Sequence, residues 1–214
     1  TAEMAFYGMV EGMQEYLDEW KVKEINSGKQ FSREELNAIV TKKVRQEKVA
    51  NKDIKMRTFI STTDKRNDLA SYVYDITYNT IKPKVDNLVV IDDSIVRGTT
   101  LKQNILNILD RLEPKKIVVV SSSPQIRYPD YYGIDMEKFD HFVAFKAALE
   151  LLYENGKQSL IEETYRACIE ELKKPDAQQI NCTRAIYHPF TADEISRKIA
   201  DLLKPVDLNA ELEL

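Results

Sequence analysis

Two adjacent carboxylates close an apolar run, and a glycine with two threonine hydroxyls follows a few residues later. The stretch is Val89-Val90-Ile91-Asp92-Asp93-Ser94-Ile95-Val96-Arg97-Gly98-Thr99-Thr100. It reads as strand, acidic pair, loop and helix start. In open α/β sheets ligands collect at the carboxyl ends of the strands, which is where Asp92 and Asp93 fall. At the helix start, Arg97 to Thr100 offer free backbone N–H groups, two hydroxyls and the positive end of the helix dipole, a setting that suits a phosphate dianion. Gly98 permits close backbone approach. The competing reading is that the two acids merely cap a turn. The coincidence of a Val/Ile strand, paired acids and a Gly-Thr-Thr helix start favours a ligand.

The elements that must position this stretch are a βαβ unit. Asn87–Ile91 is short, apolar and β-branched, as a strand buried on both faces should be. Leu101, Ile105, Ile108, Leu109 and Leu112 supply a helix that Pro114 stops. Lys116–Ser122 is a second buried strand, so a parallel crossover is expected. Upstream, 2–20 reads as a buried-looking helix with no strand before it, which suggests a piece of a longer chain. A capping box at Ser32-Arg33-Glu34-Glu35 starts a helix expected to run to about Lys48. The span from Val40 to Lys55 is rich in lysine and arginine and reads as a basic loop or a solvated helix end. A strand is expected at 54–60 and a tyrosine-rich helix at 64–80, capped by Thr62-Thr63-Asp64. Downstream, helices are expected at 140–155 (closed by Gly156), 159–173 and 191–203, with a frayed acidic tail at 207–214.

Composition removes several functions. Lys+Arg number 31 and Asp+Glu 35, giving a net charge of −4, which argues against a nucleic-acid binder. No run is long and apolar enough for a membrane span and no signal-like segment opens the chain, so a cytoplasmic protein is expected. Cys168 and Cys182 are too few for a disulfide scaffold, and His141 and His188 have no zinc-like spacing. Both histidines read as surface or structural residues, and Cys168 as a small buried hydrophobe. Six glycines occur, and none fits the dinucleotide or P-loop patterns. Any phosphate chemistry therefore falls to Gly98.

The nine-residue string Asp92-Asp93-Ser94-Ile95-Val96-Arg97-Gly98-Thr99-Thr100 resembles the signature of type I phosphoribosyltransferases, and within them that of the amidophosphoribosyltransferases. Arg57-Thr58-Phe59-Ile60, Ser123-Pro124-Gln125-Ile126-Arg127-Tyr128-Pro129 and Tyr132-Gly133-Ile134-Asp135-Met136 agree in the family's order. The resemblance implies an α/β, parallel-sheet type I phosphoribosyltransferase fold with a helical C-terminal extension. It divides the chain into a core (1–136), a helical part packed on it (137–206) and the tail (207–214). It also implies Mg²⁺-dependent amination of phosphoribosyl pyrophosphate, the first step of purine synthesis. Asp92 and Asp93 would hold the ribose hydroxyls directly or through Mg²⁺, with Arg57 as a further catalytic residue. Ser94, Val96, Arg97, Gly98, Thr99 and Thr100 would wrap the 5′-phosphate, and Thr1 would add a metal contact. Purine nucleotides, a homo-oligomer and a glutaminase domain outside this chain complete what it implies.

The chain departs from that pattern in two places. Members with an iron–sulfur cluster have cysteines where this chain has Asp130 and Ala185, so no cluster is expected. The family's closing lid reads Lys-Asn-Arg-Tyr-Val-Gly before Arg-Thr-Phe-Ile, whereas here Asn51-Lys52-Asp53-Ile54-Lys55-Met56 precedes Arg57. Lys52 and Lys55 are the groups left to serve as a lid. These changes bear on turnover more than on binding, because a lid excludes water and completes transition-state contacts. They keep open the alternative of a catalytically weak regulatory subunit that binds phosphoribosyl or purine nucleotides.

Overall fold

The computed structural model of the chain describes residues 2–47, 49–52, 74–77, 79–130 and 136–214. Its centre is a parallel sheet. Strand β3 (Asn87–Asp92) pairs with β4 (Lys116–Ser121) in register from Asn87 opposite Lys116 to Asp92 opposite Ser121. The crossover between them is helix α3, residues 99–110, whose first part, Leu101–Ile105, is wound as a π-helix before ordinary α turns at Leu106–Asp110. Leu101, Leu106, Ile108 and Leu109 are buried, so the helix covers the sheet with the apolar side its sequence pattern predicts. Strand β4 alternates, with Ile117 and Val119 inward at 0% and 2% exposure.

Strand β3 departs from the expectation of burial on both faces. Val89 is 42% exposed, and its residues alternate between exposed and half-buried along the first four positions. An apolar run of this kind records tolerance for burial, while the packing decides which face receives it.

Three helices make up most of the C-terminal part: α4 (Val143–Glu154), α5 (Ser159–Glu171) and α6 (Ala192–Leu203). All three lie where the sequence pattern predicts them, with ends shifted by a few residues. Thr191 caps α6 through a reciprocal box: its Oγ1 accepts the Glu194 N–H at 3.2 Å, and Glu194 Oε2 accepts the Thr191 N–H at 2.7 Å. Val143, Ala147, Leu152, Ile186, Ile195 and Ile199 join the sheet residues Ile117 and Val119 in one apolar cluster.

The last segment is not frayed. Strand β5 (Glu211–Glu213) extends the sheet, running parallel to β4, which lies between it and β3. Alternation explains it: Leu208 and Ala210 are buried in the core, while Leu212 and Leu214 pack against its edge. The Asp110 carboxylate accepts the Asn209 N–H at 3.1 Å, the Ala210 N–H at 3.0 Å and the Asn209 side-chain amide at 2.9 Å. Lys116 Nζ reaches Glu213 at 2.9 Å, so the acidic residues that suggested solvation form the outer face of a strand.

The N-terminal part differs more. Helix α1 (Ala2–Ile25) exists, but Met4, Tyr7, Tyr16 and Val22 are more than half exposed, so it is not the buried helix its composition suggests. Helix α2 (Arg33–Thr41) begins at the Ser32–Glu35 capping box but stops at Thr41, well short of Lys48. Residues 42–47 have no regular secondary structure and are largely exposed, because a run of like charges has little reason to coil together. Arg45 there pairs with Asp86 just before β3. Where the end of a tyrosine-rich helix was expected, Tyr74–Ile76 is instead strand β2, antiparallel to β1 (Ala50–Lys52). Tyr-Asp-Ile carries β-propensity at both flanking positions, and the local pairing overrides the weak helical pattern. The expected strand at 54–60 and the cap at 62–64 lie outside the described residues. Among the described residues, no helix is long and apolar enough to cross a membrane.

Candidate active site

Because β3 and β4 are parallel, their carboxyl ends open on the same side, and the acidic pair sits there. Asp92 ends β3 and is half-buried, and Asp93 is exposed at the start of the loop. Asp92 Oδ1 accepts the Asp93 N–H at 2.9 Å, and Asp93 Oδ1 accepts the Ser94 N–H at 2.6 Å. Turn capping is therefore present, and it uses one named oxygen of each carboxylate. Just past β4 the Ser122 N–H donates to Asp92 O at 2.9 Å, and the Ser122 hydroxyl donates to Asp93 O at 3.0 Å. Burial holds the Asp92 carboxyl above the ordinary aspartate range; the neighbouring Asp93 charge adds to this, against the opposing backbone hydrogen bond. A carboxylate kept partly out of water beside a second acid is a group poised for a cation or for hydroxyl donors.

Residues 94–98 run from the acids to the helix. Gly98 has φ +69°, a conformation that L side chains rarely adopt, and its carbonyl accepts the Lys102 N–H at 2.9 Å as the first helical bond. Thr99 and Thr100, both exposed, begin α3. As at any helix start, the N–H groups of this first turn have no partner within the helix.

The C-terminal part holds this loop on several sides. The Val143 N–H at the start of α4 donates to Val96 O at 2.8 Å. Arg97 Nη2 lies 2.8 Å from His141 Nδ1. Leu203 of α6 packs directly beneath Gly98, and Lys102 Nζ donates to Leu202 O at 2.7 Å. The aromatic loop after β4 is equally engaged. Gln125 Nε2 donates to Ala192 O at 2.7 Å and to Ser196 Oγ at 2.8 Å, and the Tyr187 hydroxyl donates to Arg127 O at 2.6 Å. Burial pushes the Tyr187 phenol well above its ordinary value, so it stays a donor.

The structure thus brings together Asp92, Asp93, Ser94, Val96, Arg97, Gly98, Thr99 and Thr100 as one strand–loop–helix unit. Arg57, Lys55 and Thr1 lie outside the described residues, and Lys52 ends β1. His141, read from sequence as surface or structural, proves to touch the loop; a single histidine 44 positions away carries no periodic signal that could have announced this. Among the described residues, no group of three or more His, Cys, Asp or Glu side chains assembles into a metal cluster. Asp92 and Asp93 supply two hard oxygen donors, which fits a magnesium ion that draws its remaining ligands from water and substrate phosphates.

The fold and the site define an α/β protein with a parallel sheet and flanking helices, whose acidic strand end leads into a glycine-initiated helix. Comparison with known proteins bears out the resemblance to amidophosphoribosyltransferases. The chain is 37% identical over 127 residues to the amidophosphoribosyltransferase of Haemophilus influenzae, a match covering 57% of this chain and 24% of that protein. It is 31% identical over 129 residues to that of Escherichia coli, covering 58% and 25%. It is 43% identical over 74 residues to that of Pyrococcus horikoshii, covering 34% and 16%. The chain spans about a quarter of the length of the first two of these relatives. No protein-family model matches it.

Proposed function

We propose that this chain is the transferase part of an amidophosphoribosyltransferase, which replaces the pyrophosphate of phosphoribosyl pyrophosphate with an amino group in purine synthesis. The observation that carries the reading is the nine-residue string 92–100 lying as strand end, loop and helix start, in a chain 37% identical to such an enzyme over 127 residues. The N–H groups and hydroxyls at 98–100, with Arg97 beside them, receive the 5′-phosphate, fixing one end of the substrate. Asp92 and Asp93 meet the ribose 2′- and 3′-hydroxyls, and their charge stabilises the anomeric carbon as it becomes cationic. Ammonia adds to that carbon as the bond to pyrophosphate breaks, and the amine loses a proton to solvent. A bound Mg²⁺, held by the same two carboxylates, would neutralise the departing pyrophosphate. Arg57 and Thr1 retain the catalytic and metal-binding roles that the resemblance implies.

In this reading a glutaminase part supplies the ammonia, the protein works in the cytoplasm as a homo-oligomer, and purine nucleotides compete through their shared phosphoribosyl group. The direct assay is pyrophosphate release with ammonium as nitrogen source. Pyrophosphate formation dependent on ammonia and Mg²⁺ supports the reading, and its absence at saturating substrate contradicts it.

A second reading rests on the span Asn51–Met56, which lacks the lid lysine, tyrosine and glycine of the resembled enzymes. Here the chain is a regulatory subunit that binds a phosphoribosyl ligand with little turnover. The same assay separates the two: retained binding with negligible pyrophosphate release favours the subunit. Lys52→Ala and Lys55→Ala lower turnover only if these lysines close over the pyrophosphate.

A further inference from the structure

We propose that His141 is a positioning residue for the phosphate loop, orienting the Arg97 guanidinium toward a phosphate monoester; the inference rests on the phosphoribosyl reading above. The two side chains meet with Arg97 Nη2 2.8 Å from His141 Nδ1, and both are half-buried. A guanidinium has only donors, so the imidazole accepts through Nδ1 and is the neutral tautomer carrying its proton on Nε2.

The turn that carries the imidazole is tied to the core. His141 closes a 3₁₀ turn, Phe139–His141, in which its own N–H donates to Lys138 O at 3.1 Å. The Phe142 N–H donates to Phe139 O at 3.0 Å, and the Phe142 side chain is fully buried. Phe139 packs against Phe145 with ring centroids 5.0 Å apart, tying the turn to α4. One residue on, the Val143 N–H grips Val96 O at 2.8 Å. The segment therefore holds consecutive loop residues by two different means, through the backbone at 96 and through the side chain at 97. An arginine oriented before the ligand arrives loses less rotamer freedom on binding, which is affinity gained by preorganisation.

The test is calorimetric titration of the whole chain with ribose 5-phosphate, comparing wild type with His141→Leu, His141→Phe and His141→Asn. Leucine and phenylalanine remove the acceptor, and asparagine restores one near the position of Nδ1. Leucine and phenylalanine should each weaken binding about tenfold, the scale of one lost charge-assisted hydrogen bond, while asparagine stays within about threefold of wild type. Inorganic phosphate should follow the same order. In the Arg97→Met background, His141→Leu should have no further effect on ribose 5-phosphate affinity. Phenylalanine keeps a ring in the turn, so it gives the comparison if leucine disturbs folding. Wild-type affinity in the folded leucine or phenylalanine variant overturns the proposal, as does asparagine binding as weakly as they do. Absence of ribose 5-phosphate binding by wild type overturns the phosphoribosyl reading itself.

Discussion

A side-chain carbon at position 98 would stand 2.3 Å from Leu203 Cδ2 and 2.8 Å from Leu203 Cδ1. The glycine that begins helix α3 is therefore set by the end of helix α6 as well as by its own φ of +69°. Loop and C-terminal helix form one packed unit, although more than a hundred residues separate them in sequence.

Gly98→Ala should accordingly destabilise the fold by about 2–4 kcal/mol, combining left-handed strain with overpacking against Leu203. Urea denaturation measures the loss. In a Leu203→Ala background the same substitution should cost only about 1 kcal/mol, because the steric component has gone. An equal cost in both backgrounds would show that Leu203 exerts no constraint on the loop.

Asp92 gives a pH dependence of unusual sign. Its folded-state affinity for a proton is raised by burial, so the folded chain binds more protons than the unfolded chain across the window from the ordinary aspartate range up to the raised value. Its contribution to stability is therefore most favourable in acid and is lost as pH rises through that window. Asp92→Asn, which still offers an acceptor to the Asp93 N–H, should melt at a higher temperature than wild type at neutral pH. The gap should narrow on acidification. Thermal melts of both proteins between about pH 4 and 8 test this, and a gap that widens in acid would contradict it.

Asp110 should govern the last strand. Its carboxylate receives three hydrogen bonds from Asn209 and Ala210, and Asp110→Ala removes all of them together. The expected cost is about 1–3 kcal/mol. Amide exchange at Glu211, whose N–H donates to Lys115 O at 3.2 Å, should quicken more than exchange in β3. Uniform acceleration across the sheet would instead mean that the clamp acts on the whole core.

The sequence made the centre of this fold legible because local signals agree there. Val-Val-Ile before Asp92 and Ile-Val-Val-Val after Pro114 read as strands, and capping residues mark helix starts at Ser32 and Thr191. The acidic pair and its loop could be placed because strand end, loop and helix start are contiguous. The rest depended on distant partners. The strand at 211–213 forms because Asp110 and Lys116, about a hundred positions away, receive it. The strand at 74–76 exists through its pairing with 50–52. Arg97 meets His141, and Gly98 meets Leu203, only once α4 and α6 have packed. No periodicity encodes such contacts, so a histidine and a terminal leucine looked ordinary beside the loop they touch.

In the proposed function, Asp92, Asp93 and the loop through Thr100 bind phosphoribosyl pyrophosphate. Isothermal titration of wild type and of the Asp92→Asn/Asp93→Asn double variant with phosphoribosyl pyrophosphate, with and without Mg²⁺, is the test. Wild type should bind in a Mg²⁺-dependent manner, and the folded double variant should lose at least about 1–3 kcal/mol of binding free energy. Equal affinities in the two proteins, or no binding by either, would contradict it.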